Sequence, residues 1–375
     1  MKFLVAPNSF KGSLTAWDVA DIIEKAIIKV FPEAEVINLP VADGGDHTME
    51  VLVRALKGAI NTYTISDPLS RPISANIGVI KDGKTAIIEM ASASGIRLLK
   101  DSELSPMKTT SFGTGELIKE AIKSGCEEVI LSIGGSATVD GGLGILAGLG
   151  FSLLNENNIS VEPSGRGLRE LAKIENTLVD PSIKSVKFKV LCDVDNPLLG
   201  EHGAAKVFGP QKGANDEMVG ELEEGLKIFN RLTNKTLGID MNSMSGSGAA
   251  GGVGGAMAAY LNAELIPGAN FVIDQLNIVD HLRGCDYVFV AEGKIDNQTR
   301  FGKAPYAVAE RSGDIPVIAL AGQVDPDLDT SDLPAFNAIF SITNGPVPLE
   351  KALKNTPTNL GRTVENICRT IKSAF

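Results

Sequence analysis

The residues of this chain best suited to chemistry are lysines and carboxylates standing beside glycine turns. Lys11 precedes Gly12 and Ser13, Asp43 precedes Gly44 and Gly45, and Glu292, Lys294 and Asp296 flank Gly293. A lysine next to a helix N-terminus suits a phosphate, because the cation and the free backbone amides both face an anion. Carboxylates suit Mg2+ and the removal of a proton from a hydroxyl. Together they are the equipment of phosphoryl transfer, where positioning and charge stabilisation supply most of the catalysis. Each has a plainer explanation as well. Lys11 alone reads as a solvated surface lysine, Asp43 as a turn former, and Asp193 with Asp195 as an Asx turn closed by Pro197.

Three motif matches point elsewhere. Gly78-Val-Ile-Lys-Asp-Gly-Lys-Thr85 satisfies G-x-x-x-x-G-K-[ST]. That pattern cradles phosphates only when a helix begins at its Lys-Thr pair. Here Thr85 to Met90 is apolar without helical period, and Asp82-Gly83 between two β-prone runs predicts a hairpin. Gly246 to Gly251 matches G-x-G-x-x-G, but no strand precedes it, so close helix packing is the better reading than dinucleotide binding. Asp325, Asp327 and Asp329 imitate a calcium loop with Thr330 where glycine is required.

The elements that must position the lysines and carboxylates follow from hydrophobic periodicity. Lys2–Ala6 and Glu35–Pro40 read as buried strands, each followed by a helix; the first carries Val19, Ile22, Ile23, Ala26, Ile27 and Val30 at helical spacing. Residues 61 to 91 read as a β-meander, and further strands are expected at Val129–Ile133 and Lys187–Cys192. The opening rhythm returns with strands Tyr287–Ala291, Pro316–Leu320 and Ala338–Ile342, a helix near 304–311 and a closing helix from Leu360. Two strands at the start and three at the end make a five-stranded, flavodoxin-like parallel sheet, interrupted by a second α/β domain. The expected boundaries are residues 1–60 plus 285–375 for the sheet domain and 61–284 for the insertion. The loops at the strand C-termini, Asn8 to Ser13, Asp43 to Gly45, Glu292 to Asp296, Gly322-Gln323 and Asn344-Gly345, would carry the site.

Length and composition agree with two domains. The chain has 375 residues, more than one hydrophobic core usually serves, and a formal charge of −11 that argues against nucleic acid or anionic membrane as partner. No run approaches the roughly 18 apolar residues of a membrane helix, and the N-terminal apolar run is too brief for a signal peptide. Four scattered cysteines exclude the usual zinc and redox spacings and fit reduced thiols in a cytoplasm.

Seven stretches in order resemble the type I glycerate kinase family. They begin at Ala6-Pro-Asn-Ser-Phe-Lys-Gly-Ser-Leu14, Pro40-Val-Ala-Asp-Gly-Gly45, Thr110-Ser-Phe-Gly-Thr-Gly-Glu116 and Gly134-Gly-Ser-Ala-Thr-Val-Asp-Gly-Gly142. Cys192-Asp-Val-Asp-Asn-Pro-Leu198, Val207-Phe-Gly-Pro-Gln-Lys-Gly213 and Glu292-Gly-Lys-Ile-Asp-Asn-Gln-Thr299 complete them. The resemblance implies an ATP- and Mg2+-dependent cytoplasmic enzyme that phosphorylates D-glycerate, chiefly to 2-phosphoglycerate, in a cleft between a flavodoxin-like domain and an inserted α/β domain. It leaves a homodimer open.

On that basis Lys11, Ser9 and the amides near Gly12 and Ser13 are expected at phosphate or substrate carboxylate. Asp43, Gly44, Gly45 and Lys294 join them, and Gly134, Gly135, Ser136 and Thr138 would form the face of the inserted domain. Asp193 and Asp296 are the candidates for base and metal ligand, in an order the sequence leaves open; Asp296, after a glycine turn, is the favoured base. Asp193, beside Asp195 and Asn196, is the expected Mg2+ ligand, with Asp195 and Glu292 as further ligands. Three positions depart from the family: Asn8 replaces Asp, Asp46-His47 replaces Glu-Gly, and Lys294 replaces Arg, keeping the charge without the bidentate fork. The alternatives are a non-catalytic carboxylate- or nucleotide-binding protein on the same scaffold, a dehydrogenase, and a glycerate kinase giving 3-phosphoglycerate.

Overall fold

Apolar runs from both ends of the chain meet in one parallel sheet. Its strands lie in the order Ala338–Ser341, Val317–Val324, Tyr287–Ile295, Lys2–Val5 and Glu35–Asn38. Numbered along the chain this is 5-4-3-1-2, the flavodoxin-like order, whose switch point lies between the first and third strands. There Phe3 pairs with Tyr287 and Val5 with Phe289. The computed structural model describes residues 1–300 and 302–374.

The helix Ala16–Val30 starts where Thr15 caps it: the Thr15 hydroxyl accepts the Asp18 amide while the Asp18 carboxylate accepts the Thr15 amide. This reciprocal box satisfies two of the orphan donors of a helix start. Val19, Ile23 and Ile27 then pack beside Phe3, Val5, Phe289 and Leu320, with Leu360, Val364 and Cys368 of the closing helix in the same core. That helix runs Leu349–Ser373 and begins eleven residues before the expected Leu360, with Pro357 inside it. Proline cannot donate to the carbonyl four residues back. Here that carbonyl, Leu353 O, accepts the Ser13 hydroxyl at 2.8 Å instead.

The chain divides into two units, Met1–Asp43 with the segment from Ala269 onward, and Gly44–Gly268. The divisions thus fall at 43/44 and 268/269 rather than at 60/61 and 284/285. The reason is packing. Helix Thr48–Ala55 lies on the strand Pro72–Ile80, where a Cβ at Gly78 would come within 2.6 Å of Met49 Cγ and Val53 Cγ2. At the other division, Arg311 bonds the side chains of Asn270 and Asp274. The two ends of the inserted unit meet: a Cβ on Gly44, at φ 87°, would lie 2.4 Å from Gly268 Cα.

The inserted unit holds a six-stranded mixed sheet. Glu264–Ile266, Lys187–Leu191, Glu128–Ser132 and Thr85–Glu89 run parallel; Pro72–Ile80 and Ala59–Ser66 continue the sheet antiparallel. Strands Pro72–Ile80 and Thr85–Glu89 form the hairpin, with Ile80 opposite Thr85, so Gly78 to Thr85 encloses no phosphate loop. The Gly246 to Gly251 stretch follows the short turn Met241–Ser243, not a strand, and leads into helix Ala249–Leu261. Ala250, Gly251 and Gly252 break that helix with left-handed backbone, and the Gly251 carbonyl accepts the Gly141 amide at 2.9 Å.

Lys84, at the hairpin, is exposed and pairs with Glu127. Such surface pairs contribute about 0–1 kcal/mol. Lys84→Ala should therefore leave nucleotide affinity within about twofold and lower Tm by no more than a few degrees. A hundredfold loss of affinity in a folded variant would restore the phosphate-loop reading.

Candidate active site

In the first unit the structure gathers carboxylates and lysines at the switch point of the sheet. The strand from Tyr287 continues to Ile295, past the expected end at Ala291, so Glu292 and Lys294 lie on the strand itself, opposite Ala321 and Gln323. The Asn8 amide donates to the Ala291 carbonyl. The Asn8 side chain donates to Asp43 Oδ2 at 2.8 Å, and Asp43 Oδ1 accepts the Ala304 amide at 2.7 Å, at the start of helix Ala304–Arg311. An aspartate at position 8 would set two carboxylates against each other there; asparagine supplies a donor instead.

Lys303 links the rest. Its Nζ lies 2.9 Å from Glu292 Oε2, 3.0 Å from the Lys294 carbonyl, 3.3 Å from Thr299 Oγ1 and 3.6 Å from Asp296 Oδ1. Sequence reasoning passed over Lys303, because a lysine in a Gly-Lys-Ala-Pro turn resembles any surface lysine. Lys294 Nζ is held between Asp296 and Asp325 at 3.2 and 3.1 Å. Glu292 is buried, and its Oε1 has no hydrogen-bond partner among the described residues. Burial pushes its carboxyl up to about 7; Lys303 opposes the shift, and Asp43 and Asp296 add to it. Asp296 goes the other way. Partial burial opposes its ionisation, but Lys294, Lys303 and the Gln298 amide outweigh that and hold it below the usual carboxylate range.

Lys11 and Gly12 are exposed in a turn closed by the Phe10–Leu14 bridge, four residues before the helix cap rather than at a helix start. The Ser13 amide donates to Phe10 O and its hydroxyl to Leu353 O, so both Ser13 groups serve the fold. Ser9 is half-buried, its amide on Asn8 Oδ1.

In the inserted unit Gly44, Gly45, Gly134, Gly135, Ser136 and Asp193 line one pocket of about 410 Å³. Thr138 does not: it is wholly buried and its carbonyl accepts Lys212 Nζ at 2.8 Å. Lys212, in the Val207–Gly213 stretch, also lines the pocket, and nothing in its sequence setting marks it out from a surface lysine. Asp193 and Asp195 are exposed, and Asp193 Oδ1 accepts the Gly268 amide at 2.7 Å. Among the described residues no three His, Cys, Asp or Glu side chains are placed together to hold a metal ion. His47 is exposed, with left-handed backbone, at the start of helix Thr48–Ala55, and Asp46 pairs with Arg97 at 3.1 Å.

A flavodoxin-like sheet with a charged cluster at its switch point and a glycine-lined pocket in an inserted α/β unit is the frame of a small-molecule phosphotransferase. Comparison with known proteins narrows this. The sequence model of the Glycerate kinase family matches residues 3–372. A glycerate kinase of Bacillus cereus is 42% identical over 100% of this chain and 99% of its own length. The glycerate 2-kinase of Escherichia coli K12 is 40% identical, covering 99% of this chain and 98% of its own. A solved structure described as a glycerate kinase 2 from Salmonella typhimurium LT2 superposes with a TM-score of 0.90 at 39% identity, covering 100% of this chain and 99% of its own. The chain belongs to the glycerate kinase family, and is a kinase.

The Glu292 shift has a thermal consequence. A carboxyl raised from 4.5 to about 7 by folding gives stability that is full below about pH 4.5 and is lost as pH rises through 7. Glu292→Gln removes that loss. Relative to wild type, its Tm should gain on the order of a few degrees between pH 5 and pH 8. A Tm difference that stays constant across that range would show that Glu292 ionises normally.

Proposed function

We propose that the protein transfers the γ-phosphoryl group of ATP to the 2-hydroxyl of D-glycerate, giving 2-phosphoglycerate. The observation that carries this reading is the cluster of Asp43, Glu292, Asp296, Lys294 and Lys303 at the switch point of a family member. Asp296 is the proton acceptor: its neighbours keep it ionised at neutral pH, and its side chain is accessible, at 21% exposure. Lys294 and Lys303 hold it in place and offset the negative charge that reaction partners bring. Exposed Lys11 contributes a further cation for a phosphate or the substrate carboxylate.

Mg2+ fits the first unit's donors. Kinases hold this ion with one or two carboxylates plus substrate phosphates, so three protein ligands are not needed. Glu292, with an unpartnered oxygen in an acidic cluster, would hold it. There the ion would neutralise charge on the transferring phosphate. Four free cysteines support a reducing compartment, and we place the protein in the cytoplasm. Among the described residues no helix is long and apolar enough to cross a membrane.

Incubating the protein with ATP, Mg2+ and D-glycerate should release ADP, and the product should be dehydrated by enolase without a mutase, which 3-phosphoglycerate would require. Asp296→Asn should lose about 10²–10⁴-fold in rate at every Mg2+ concentration, as expected of a positioned base. Glu292→Gln should recover as Mg2+ is raised, and the reverse pattern would exchange the two roles. Lys11→Met should lower kcat/KM on the order of ten- to a hundredfold with Tm nearly unchanged, the worth of one charge-assisted bond. Unaltered kinetics would return Lys11 to the solvated surface.

A further inference from the structure

No lysine or arginine other than Lys212 is buried among the described residues, and Lys212 is only 2% exposed. A buried ammonium normally has a carboxylate partner, because desolvation penalises the charge. Lys212 has none in bonding range. Its Nζ donates to two neutral oxygens, Ser136 Oγ and the Thr138 carbonyl, both at 2.8 Å. The buried carboxylate behind it, Asp140, is already committed. It accepts from the Ser111 amide and hydroxyl and from the amides of Gly142 and Gly144, and acts on Lys212 only through space. Burial consequently pulls the Lys212 ammonium down to about 7. Two of its three N–H bonds are used, which leaves one for another acceptor.

The side chain lies where a ligand can reach it. Lys212 and Ser136 line the 410 Å³ pocket together with Gly134, Gly135, Gln211 and Asp193. Among the described residues the amides of Gly134, Gly135 and Ser136 donate to no protein acceptor. The loop is nevertheless held firmly, since the Gly135 carbonyl accepts the Ile96 amide and the Ala137 amide donates to Ser94. The loop that carries these three amides and the Ser136 hydroxyl thus belongs, with Lys212, to the lining of one pocket. The charged groups around it are Asp140 behind, Asp193 on the same lining, and Asp46 near Gly135, which Arg97 neutralises.

We propose that Lys212, with Ser136 and the amides of Gly134 to Ser136, forms an oxyanion seat in the inserted unit. The seat takes either the carboxylate of glycerate or a phosphoryl group of ATP, and the arriving anion gives Lys212 the charge partner that the protein's own side chains do not. This rests on the reading given under Proposed function. It makes Lys212 a residue that touches substrate, and it ties substrate binding to proton uptake. An anion beside Lys212 favours its charged form, so Lys212 gains a proton when the anion binds near neutral pH.

The test is calorimetric titration of the protein with D-glycerate and, separately, with MgATP, each at pH 7.5 in buffers of different ionisation enthalpy. The ligand that occupies the seat should bind with uptake of more than about half a proton, and the other with little. Glu292, the other group near 7, is separated by repeating the titration in Glu292→Gln, where the uptake should persist. Lys212→Met should abolish the uptake and weaken that ligand on the order of ten- to a hundredfold. Ser136→Ala should weaken it less and keep the uptake. Should Lys212→Met not fold, wild type, Glu292→Gln and Ser136→Ala still decide the matter. Binding without proton uptake, uptake that survives in Lys212→Met, or uptake that disappears with Glu292→Gln overturns the seat while leaving the kinase reading intact. Failure of both ligands to bind wild type overturns the kinase reading, and the seat with it.

Discussion

Everything in the first unit's site depends on keeping like charges apart. Asp43, Glu292 and Asp296 converge on one sheet edge, and three acidic groups in a partly buried space repel one another strongly. The structure handles them by different means. Asp43 spends its oxygens on the Asn8 side chain and the amide that opens helix Ala304–Arg311. Asp296 is ionised between Lys294 and Lys303. Glu292, the most buried, shares Lys303 and still resists ionisation. Glu292 and Asp296 thus hold opposite protonation tendencies four residues apart on one chain segment, while Asp43 is tied down by its hydrogen bonds.

The sheet order was legible because parallel, buried strands write themselves as short apolar runs between turns. Lys2–Val5, Tyr287–Ile295 and Val317–Val324 are such runs, and the gap between the second strand and the third implied an insertion. What was not legible depended on contacts made far along the chain. Whether Thr48–Ala55 belongs to the first unit or the second is decided by Gly78, some thirty residues on, which lets Met49 and Val53 sit close. The early start of the closing helix depends on Ser13, which accommodates Pro357 from more than three hundred residues away.

The site shows the same division. Carboxylates beside glycines were visible because several fall together at the C-terminal ends of inferred strands, although each taken alone also has a structural explanation. Lys303 and Lys212 were not, since lysine is among the commonest surface residues and only burial or convergence distinguishes a working one. Ser13 and Thr138 erred in the opposite sense. Both sit in motifs that resemble a family's site, yet Ser13 spends its amide and hydroxyl on Phe10 O and Leu353 O, and Thr138 is wholly buried outside the pocket lining. A local pattern identifies which loop reaches a site but not which atoms of that loop face it.

The near contact of Gly44 with Gly268 bears on how such an interrupted sheet can be assembled at all. The strand Lys2–Val5 must find Tyr287–Ile295 across most of the polypeptide. For an unstructured chain, that search carries the entropy of closing a very long loop, which grows with the logarithm of its length. Once Gly44–Gly268 is folded, however, its entrance and exit stand side by side. The long loop is then replaced by a rigid body with adjoining ends, and the effective separation of the two halves shrinks to the few residues on either side. Topologically the inserted unit behaves as a bead threaded at one point, so the outer sheet can close almost as if its two segments were continuous.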